Sequence, residues 1–457
     1  MPPQGAEYRY PAGHVLYRRL KRRYPRILRG QGCWLYDDAG KRYLDASSGA
    51  LVTNLGHGNA ELAKALGEQA ARLGYVNGMV FTHDPVEELA TELAALSAPG
   101  LEKSLFLCNG GDAVEAALKI SRQFWAESGR PEKQRIVSLA PSYHGNTLLA
   151  LSASARPAYR EQFGGWLVDV ESARAPYAYH CPCRGEAEDC PTCSGGAVEE
   201  AILRAGPGNV AAFIAEPVGG VSTGATVPRP AYWRNIREIC DRHEVHFVAD
   251  EVLVGAGRTG TWSALEPYGV APDFQIFGKG IAGGYAPLSA MVTSARIVDV
   301  LAAGSGAPLH NQTFSQYPIS CAAGLATIRQ LKAEGLIERS ARMGAVMQER
   351  LAELLEHPNV GDVRGRGLLA GIEFVADKAS RRPFERRLRM VEAFAEAALA
   401  AGLVVWPNAG QVDGTHGDLV LVGPPFIITE DEISELVRLF RIALDQALER
   451  IAGGTGG

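Results

Sequence analysis

The segment PDFQIFGKGIAGGYAPLSA, residues 272–290, decides how the chain is read. Its apolar run FQIF ends in Gly-Lys-Gly and passes into a Gly-rich turn, the pattern of a buried strand that stops at a loop. Lys279 stands alone there among small residues. A lysine held at a strand end and stripped of water can lose its proton and form a Schiff base with an aldehyde. A solvated loop lysine would give the same local sequence, so the neighbouring segments must decide.

Upstream, VHFVADEVLVGAGRTG (245–260) is a second apolar run that delivers Asp250 and Glu251 at its C-terminal end. Acidic residues at that edge of an α/β sheet usually face a ligand crevice, although Asp250 alone could equally cap a helix or bind a metal. The spacing from residue 250 to residue 279 leaves room for one crossover between parallel strands, which brings both residues to the same sheet edge. Further upstream, SLFLCNGGDAVEAALKISR (104–122) reads as strand, then Asn109-Gly110-Gly111-Asp112, then amphipathic helix. Glycines let the backbone approach an anion, and the free N–H groups of a helix start point at it, which suits a phosphate. A Gly-Gly turn before a helix is also common without any ligand.

Outward from these segments, short apolar runs such as FIAEPV alternate with stretches of helical spacing. The alternation predicts an α/β chain with a mostly parallel sheet flanked by helices. In GCWLYDDAGKRYLD (32–45) a D-x-x-G turn joins two apolar segments, a hairpin expected outside that sheet. From about Ser320 onward longer helices take over, with one strand-rich insert at GRGLLAGIEFV, and GGTGG closes the chain as a flexible tail. The expected division is an N-terminal segment, 1–60, joining the small domain; a large domain, 61–325, with a Cys-rich insert at 178–195; and a smaller α+β domain, 326–457.

A chain of 457 residues, 46% hydrophobic, can bury a large core. With 46 Lys+Arg against 51 Asp+Glu it carries a formal charge of -5, so no basic field attracts nucleic acid or acidic membranes. A small-molecule partner is expected. MPPQGAEYRY contains no apolar signal core and no later stretch could span a bilayer, which points to the cytoplasm. The eight cysteines should stay reduced there. Four of them, Cys181, Cys183, Cys190 and Cys193 in YHCPCRGEAEDCPTC, are spaced C-x-C-x6-C-x-x-C and can close a tetrahedron round a structural zinc, with His180 in reserve. Surface thiols, disulfides or an iron–sulfur cluster are the alternatives, and Cys33, Cys108, Cys240 and Cys321 read as core residues.

PSYHGNT, AEPVGG, DEVLVGAGRTG, GKGIAGGYAPL, HNQTFS and VRGRGLLAGIEF follow one another in the order and spacing of one family. In this the chain resembles the class III (ω-amino acid:pyruvate type) aminotransferases, over nearly its whole length. The resemblance implies the type I pyridoxal-phosphate-dependent transferase fold and a homodimer with active sites shared between subunits. It also implies transfer of an amino group from an amine or ω-amino donor to a keto acid acceptor. Lys279 matches the Schiff-base lysine that also moves the proton, and Asp250 the carboxylate on the pyridine nitrogen of pyridoxal phosphate. Val252 and Tyr143, the latter followed by His144, match the residues on the two ring faces. Asn109, Gly110 and Gly111 fall at the phosphate cradle, and Thr313 matches the threonine that reaches the phosphate from the partner subunit. Other pyridoxal-phosphate reactions share the fold (aminomutase, decarboxylase, epimerase), and a catalytically silent partner-binding module is a reading from another class.

Three departures matter. Gly111 replaces a hydroxyl residue of the phosphate loop, and Leu253 stands where many members have a glutamine. In LVLVGPPFIIT, Leu421 stands where an arginine grips the substrate carboxylate in other members, and the slot of a mobile arginine falls on Gly414. Glu216, which pairs with the C-terminal arginine in members that have it, should then lack that cation. It would then either hold a proton or meet a positively charged amine on the substrate, or simply hydrogen-bond nearby backbone.

Overall fold

The computed structural model describes residues 13–453 apart from 21, 185–186 and 188. MPPQGAEYRY, and GGTGG after its first glycine, lie outside the described residues. At the centre is a seven-stranded sheet in the order Lys103–Leu107, Ser289–Thr293, Phe274–Phe277, His246–Asp250, Val210–Ala215, Arg135–Ala140, Val170–Arg174. Five consecutive strands, from Phe274–Phe277 to Val170–Arg174, run parallel; Ser289–Thr293 lies antiparallel to both its neighbours. Every residue of His246–Asp250, Val210–Ala215 and Phe274–Phe277 is buried, as helices on both faces require. That is why these strands read as unbroken apolar runs.

Helix Gly110–Glu127 packs on one face, placing Val114, Ala117 and Phe124 among Ile214, Val248 and Ile276. On the other face, helices Gly196–Ala205 and Tyr232–Arg242 bury Ile202, Trp233 and Ile236 with Phe213 and Phe247. The ring of Trp233 stacks on Phe247 with centroids 5.6 Å apart.

The N-terminal hairpin forms as expected from Trp34–Asp37 and Arg42–Asp45, outside the central sheet. Its turn is fastened by Asp37, whose Oδ1 accepts from the backbone N–H of Ala39 and Lys41 at 3.0 and 2.8 Å. Leu403–Val404 adds a parallel strand to this hairpin, joining the two ends of the chain in one sheet. A third, antiparallel sheet is made of Val360–Gly365, Ala370–Phe374, Asp418–Val422 and Trp406–Ala409. Helices Met390–Ala401 and Glu430–Gly453 cover it, with Phe394 and Phe440 at 4.5 Å between ring centroids. Among the described residues no helix is long and apolar enough to cross a membrane.

Candidate active site

The parallel strands all point their C-terminal ends at one edge, where ligands of open α/β sheets bind. Asn109–Gly111 follow Lys103–Leu107, Tyr143 and His144 follow Arg135–Ala140, and Glu216 follows Val210–Ala215. Asp250 ends its own strand, and Lys279 comes two residues after Phe277. Topology thus gathers groups from positions 109 to 279.

Asp250 is 4% exposed and doubly held: its Oδ2 lies 2.7 Å from His144 Nδ1, and its Oδ1 accepts from the N–H of Val252 at 3.1 Å. The backbone N–H of His144 donates to Ser154 Oγ at 2.7 Å, which fixes the backbone that carries the imidazole. Its Nε2 is buried with no described partner. Glu251, the next residue, faces the other side of the strand. It accepts from Ser263 Oγ at 2.5 Å, the N–H of Ala264 at 2.6 Å and Gln275 Nε2 at 2.9 Å. The expectation that both carboxylates face one crevice therefore fails for Glu251, because successive strand residues point to opposite faces.

Lys279 has a positive φ of 44°, a strained backbone for a residue with a side chain. Burial lowers its ammonium below the usual lysine range, and the negative charges of Asp250 and Glu216 only partly oppose that. The Lys279 loop is braced by Asn54, whose Nδ2 donates to the Gly280 carbonyl at 3.0 Å. Glu216 Oε2 accepts from the N–H of Tyr143 at 3.3 Å and its Oε1 from that of Gly220 at 3.1 Å. Burial pushes its carboxyl up to about 7, with Asp250 adding to the rise and His144 and Lys279 opposing it.

Val252 sits against the glycines. A Cβ on Gly110 would stand 2.7 Å from Val252 Cγ1, and one on Gly278 would stand 3.0 Å from the same atom. Only glycine leaves this approach open. Asn109 caps helix Gly110–Glu127 by accepting from the Asp112 N–H at 3.1 Å, so its side chain shapes the loop. Thr313 is exposed on this chain, and its carbonyl accepts from Tyr75 Oη at 3.1 Å.

Leu421 is fully buried in an apolar cluster with Leu51, Leu253 and Leu369, so the arginine position is filled with hydrocarbon. Sequence reasoning missed Arg258, buried behind the same segment, where it donates to the carbonyls of Leu368 at 3.0 Å and Pro424 at 2.5 Å. Burial lowers its guanidinium to about 9, which Asp45 opposes. The arginine of DEVLVGAGRTG was visible as a motif, but its partners lie more than 100 residues away.

The four insert cysteines converge as their spacing suggested. Their Sγ atoms all lie within 4.8 Å of one another: Cys181 is 3.3 Å from Cys183 and 3.6 Å from both Cys190 and Cys193, and Cys183 is 3.4 Å from Cys193. His180 is directed elsewhere, its Nε2 lying 2.5 Å from the buried Glu373 Oε1, which removes it as a reserve ligand. Of the remaining cysteines, Cys33, Cys240 and Cys321 are core residues, but Cys108 is only half-buried.

A desolvated lysine, a buried carboxylate held by histidine and a glycine-lined helix start, all at one edge of a mostly parallel sheet, suit a carbonyl cofactor with a phosphate tail. The family described as Aminotransferase class-III matches residues 19–444. The putrescine–pyruvate aminotransferase of Pseudomonas aeruginosa is 35% identical over 439 residues, covering 94% of this chain and 92% of that protein. The diaminobutyrate–2-oxoglutarate transaminase of Halomonas elongata is 34% identical over 435 residues, covering 93% and 91%. A crystal structure of an (S)-enantioselective ω-transaminase from Thermomicrobium roseum superposes with a TM-score of 0.89 at 36% identity, covering 95% and 96%. The chain belongs to the class III aminotransferase family and is a pyridoxal-phosphate-dependent transaminase. Its residues fit that cofactor: a buried anion for a ring nitrogen, a lysine for a carbonyl, and open backbone at a helix start for a phosphate.

Proposed function

We propose that Lys279 holds the cofactor and carries the proton, and that the enzyme moves the amino group of an amine or ω-amino donor to a keto acid. The observation that supports this most is the buried Asp250–His144 pair facing the same sheet edge as the desolvated Lys279. Pyridoxal phosphate, when bound, supplies a carbonyl for the amine and a protonated ring that draws electrons from the substrate carbon. Burial makes the Lys279 ammonium easier to deprotonate, and its Nζ, once free of that proton, can attach to a carbonyl or accept a proton. Asp250, oriented by His144, favours the protonated ring nitrogen. Tyr143 and Val252 would hold the two faces of the bound ring. The N–H groups of Gly110 and Gly111 would hold the phosphate without a side-chain hydroxyl, and Asn109 keeps their loop in shape.

Thr313 in this reading completes the phosphate site of a second copy, so the enzyme is a homodimer. Met79, Val80, Phe81, Leu309 and Phe314 are all exposed, an apolar patch flanking the Thr313 segment that suits burial in an interface. The chain divides into 1–60, 61–325 and 326–457, with helix Pro318–Ala333 crossing the last boundary as a connecting rod.

The cysteine cluster takes a structural zinc. Zinc–sulfur bonds of about 2.3 Å set tetrahedral sulfurs about 3.8 Å apart, close to the separations above. The metal would fix the insert against the third sheet, where Glu373 receives His180 Nε2, Tyr177 Oη at 2.5 Å and Arg364 Nη1 at 2.9 Å.

Glu216 reads charge on the donor. Among the described residues it has two backbone donors and no arginine partner, and its raised carboxyl is stabilised as an anion by a cationic group. Donors with a second amino group are therefore preferred over simple α-amino acids; two relatives are named for diaminobutyrate and putrescine. The test is a single half-reaction with no acceptor, comparing a diamine with its monoamine analogue. Wild type should release one carbonyl product per site, the diamine reacting about tenfold faster, and Glu216→Gln should erase most of that advantage. Absence of any carbonyl product from either amine would contradict the reaction, and equal rates for the two amines would remove Glu216 from donor choice.

A further inference from the structure

A keto acid brings a carboxylate into a cleft that already holds Asp250 and Glu216, so a cation must stand nearby. The C-terminal strand and the loop before it offer none, since Leu421 is buried in hydrocarbon and Gly414 has no side chain. The arginines around the cleft differ in what they touch. Arg258 is directed at backbone carbonyls. Arg364 is paired with Asp362 and Glu373 at 2.7 and 2.9 Å. Arg160 donates to the Ser152 carbonyl at 2.6 Å.

Arg156 is different. It immediately precedes helix Pro157–Phe163, and its Cζ stands 5.2 Å from the centroid of the Tyr143 ring. Its Nη2 donates to Asn408 Oδ1 at 3.1 Å, across to the third sheet. Among the described residues these partners are neutral, so the rest of the guanidinium fork has no anion. Its neighbour Pro157 packs against the vacant Gly414 slot. A Cβ on Gly414 would fall 2.6 Å from Pro157 Cγ, so the Gly414 loop packs on the residue next to Arg156 and leaves no room for a side chain of its own. Arg156 and Arg18 both oppose the burial that raises the Tyr143 hydroxyl.

We propose that Arg156 is the carboxylate clamp for the keto acid acceptor, with Asn408 holding its guanidinium beside Tyr143. This rests on the keto acid half of the transamination. A planar fork matches a carboxylate bidentately, and a donor without a carboxylate leaves it stacked on the tyrosine ring.

The experiment compares wild type with Arg156→Met, Arg156→Lys and Arg18→Met, each checked for the absorbance of bound cofactor. The readouts are KM for pyruvate and 2-oxoglutarate, KM for an amine without a carboxylate, and the inhibition constant of propionate, which has a carboxylate and no ketone. Arg156→Met should raise both keto acid KM values on the order of 10- to 100-fold, weaken propionate in parallel, and move the amine KM less than about threefold. Arg156→Lys should recover part of the loss, and Arg18→Met should have the smaller effect. Unchanged keto acid and propionate constants would overturn the proposal, as would an equal rise in all three, which marks a structural role, or a larger loss in Arg18→Met. A wild type that fails to react with amine alone would instead overturn the transamination reading.

Discussion

At the residue scale the chemistry turns on Asp250. Its two oxygens already hold His144 Nδ1 and the Val252 N–H, so an asparagine would keep the shape while removing the charge that favours a protonated ring nitrogen. Asp250→Asn should lower the single-turnover rate on the order of 100-fold, with a much smaller loss of cofactor affinity. Stopped-flow mixing with an amine measures it, and an unchanged rate would take Asp250 out of this role. Asp250 and Lys279 were legible because each ends an apolar run with a chemically distinctive residue. Their surroundings were not. His144 meets Asp250 across 106 positions, and Glu251 carries the same carboxylate one residue on, yet points into the core. A sequence displays residue types in order; which face of a strand end they occupy depends on the pleat and on distant partners.

At the scale of elements the cysteine insert makes the sharpest prediction. A short loop with four converging sulfurs has little hydrophobic core of its own and depends on metal for its shape. Protein prepared without chelator should contain about one zinc per chain by elemental analysis. Cys190→Ser should release it and lower Tm by about 5 °C or more. A metal-free wild type of equal heat stability would end this account of the insert. The parallel strands and the N-terminal hairpin were visible in the sequence because their burial patterns are regular. The third sheet was only half visible. Trp406–Ala409 contains Pro407, which argues against a strand, and is tolerated here on the sheet's edge. LVLVGPP departs from the family pattern at Leu421, and the strand Asp418–Val422 that buries this residue follows from partners across the sheet rather than from its own sequence.

At the scale of the whole molecule, the apolar patch beside Thr313 predicts a dimer of 48.8 kDa chains. Sedimentation should give twice the chain mass, and Thr313→Ala should weaken cofactor binding about tenfold while the dimer persists. A fully active monomer would refute the shared site. The most direct test of the central claim is covalent. Borohydride reduction of the protein loaded with pyridoxal phosphate, followed by proteolysis and mass spectrometry, should find one cofactor-derived adduct per chain on the peptide containing Lys279, and none in Lys279→Ala. An adduct on a different lysine, or none at all in a protein that still transaminates, would contradict it.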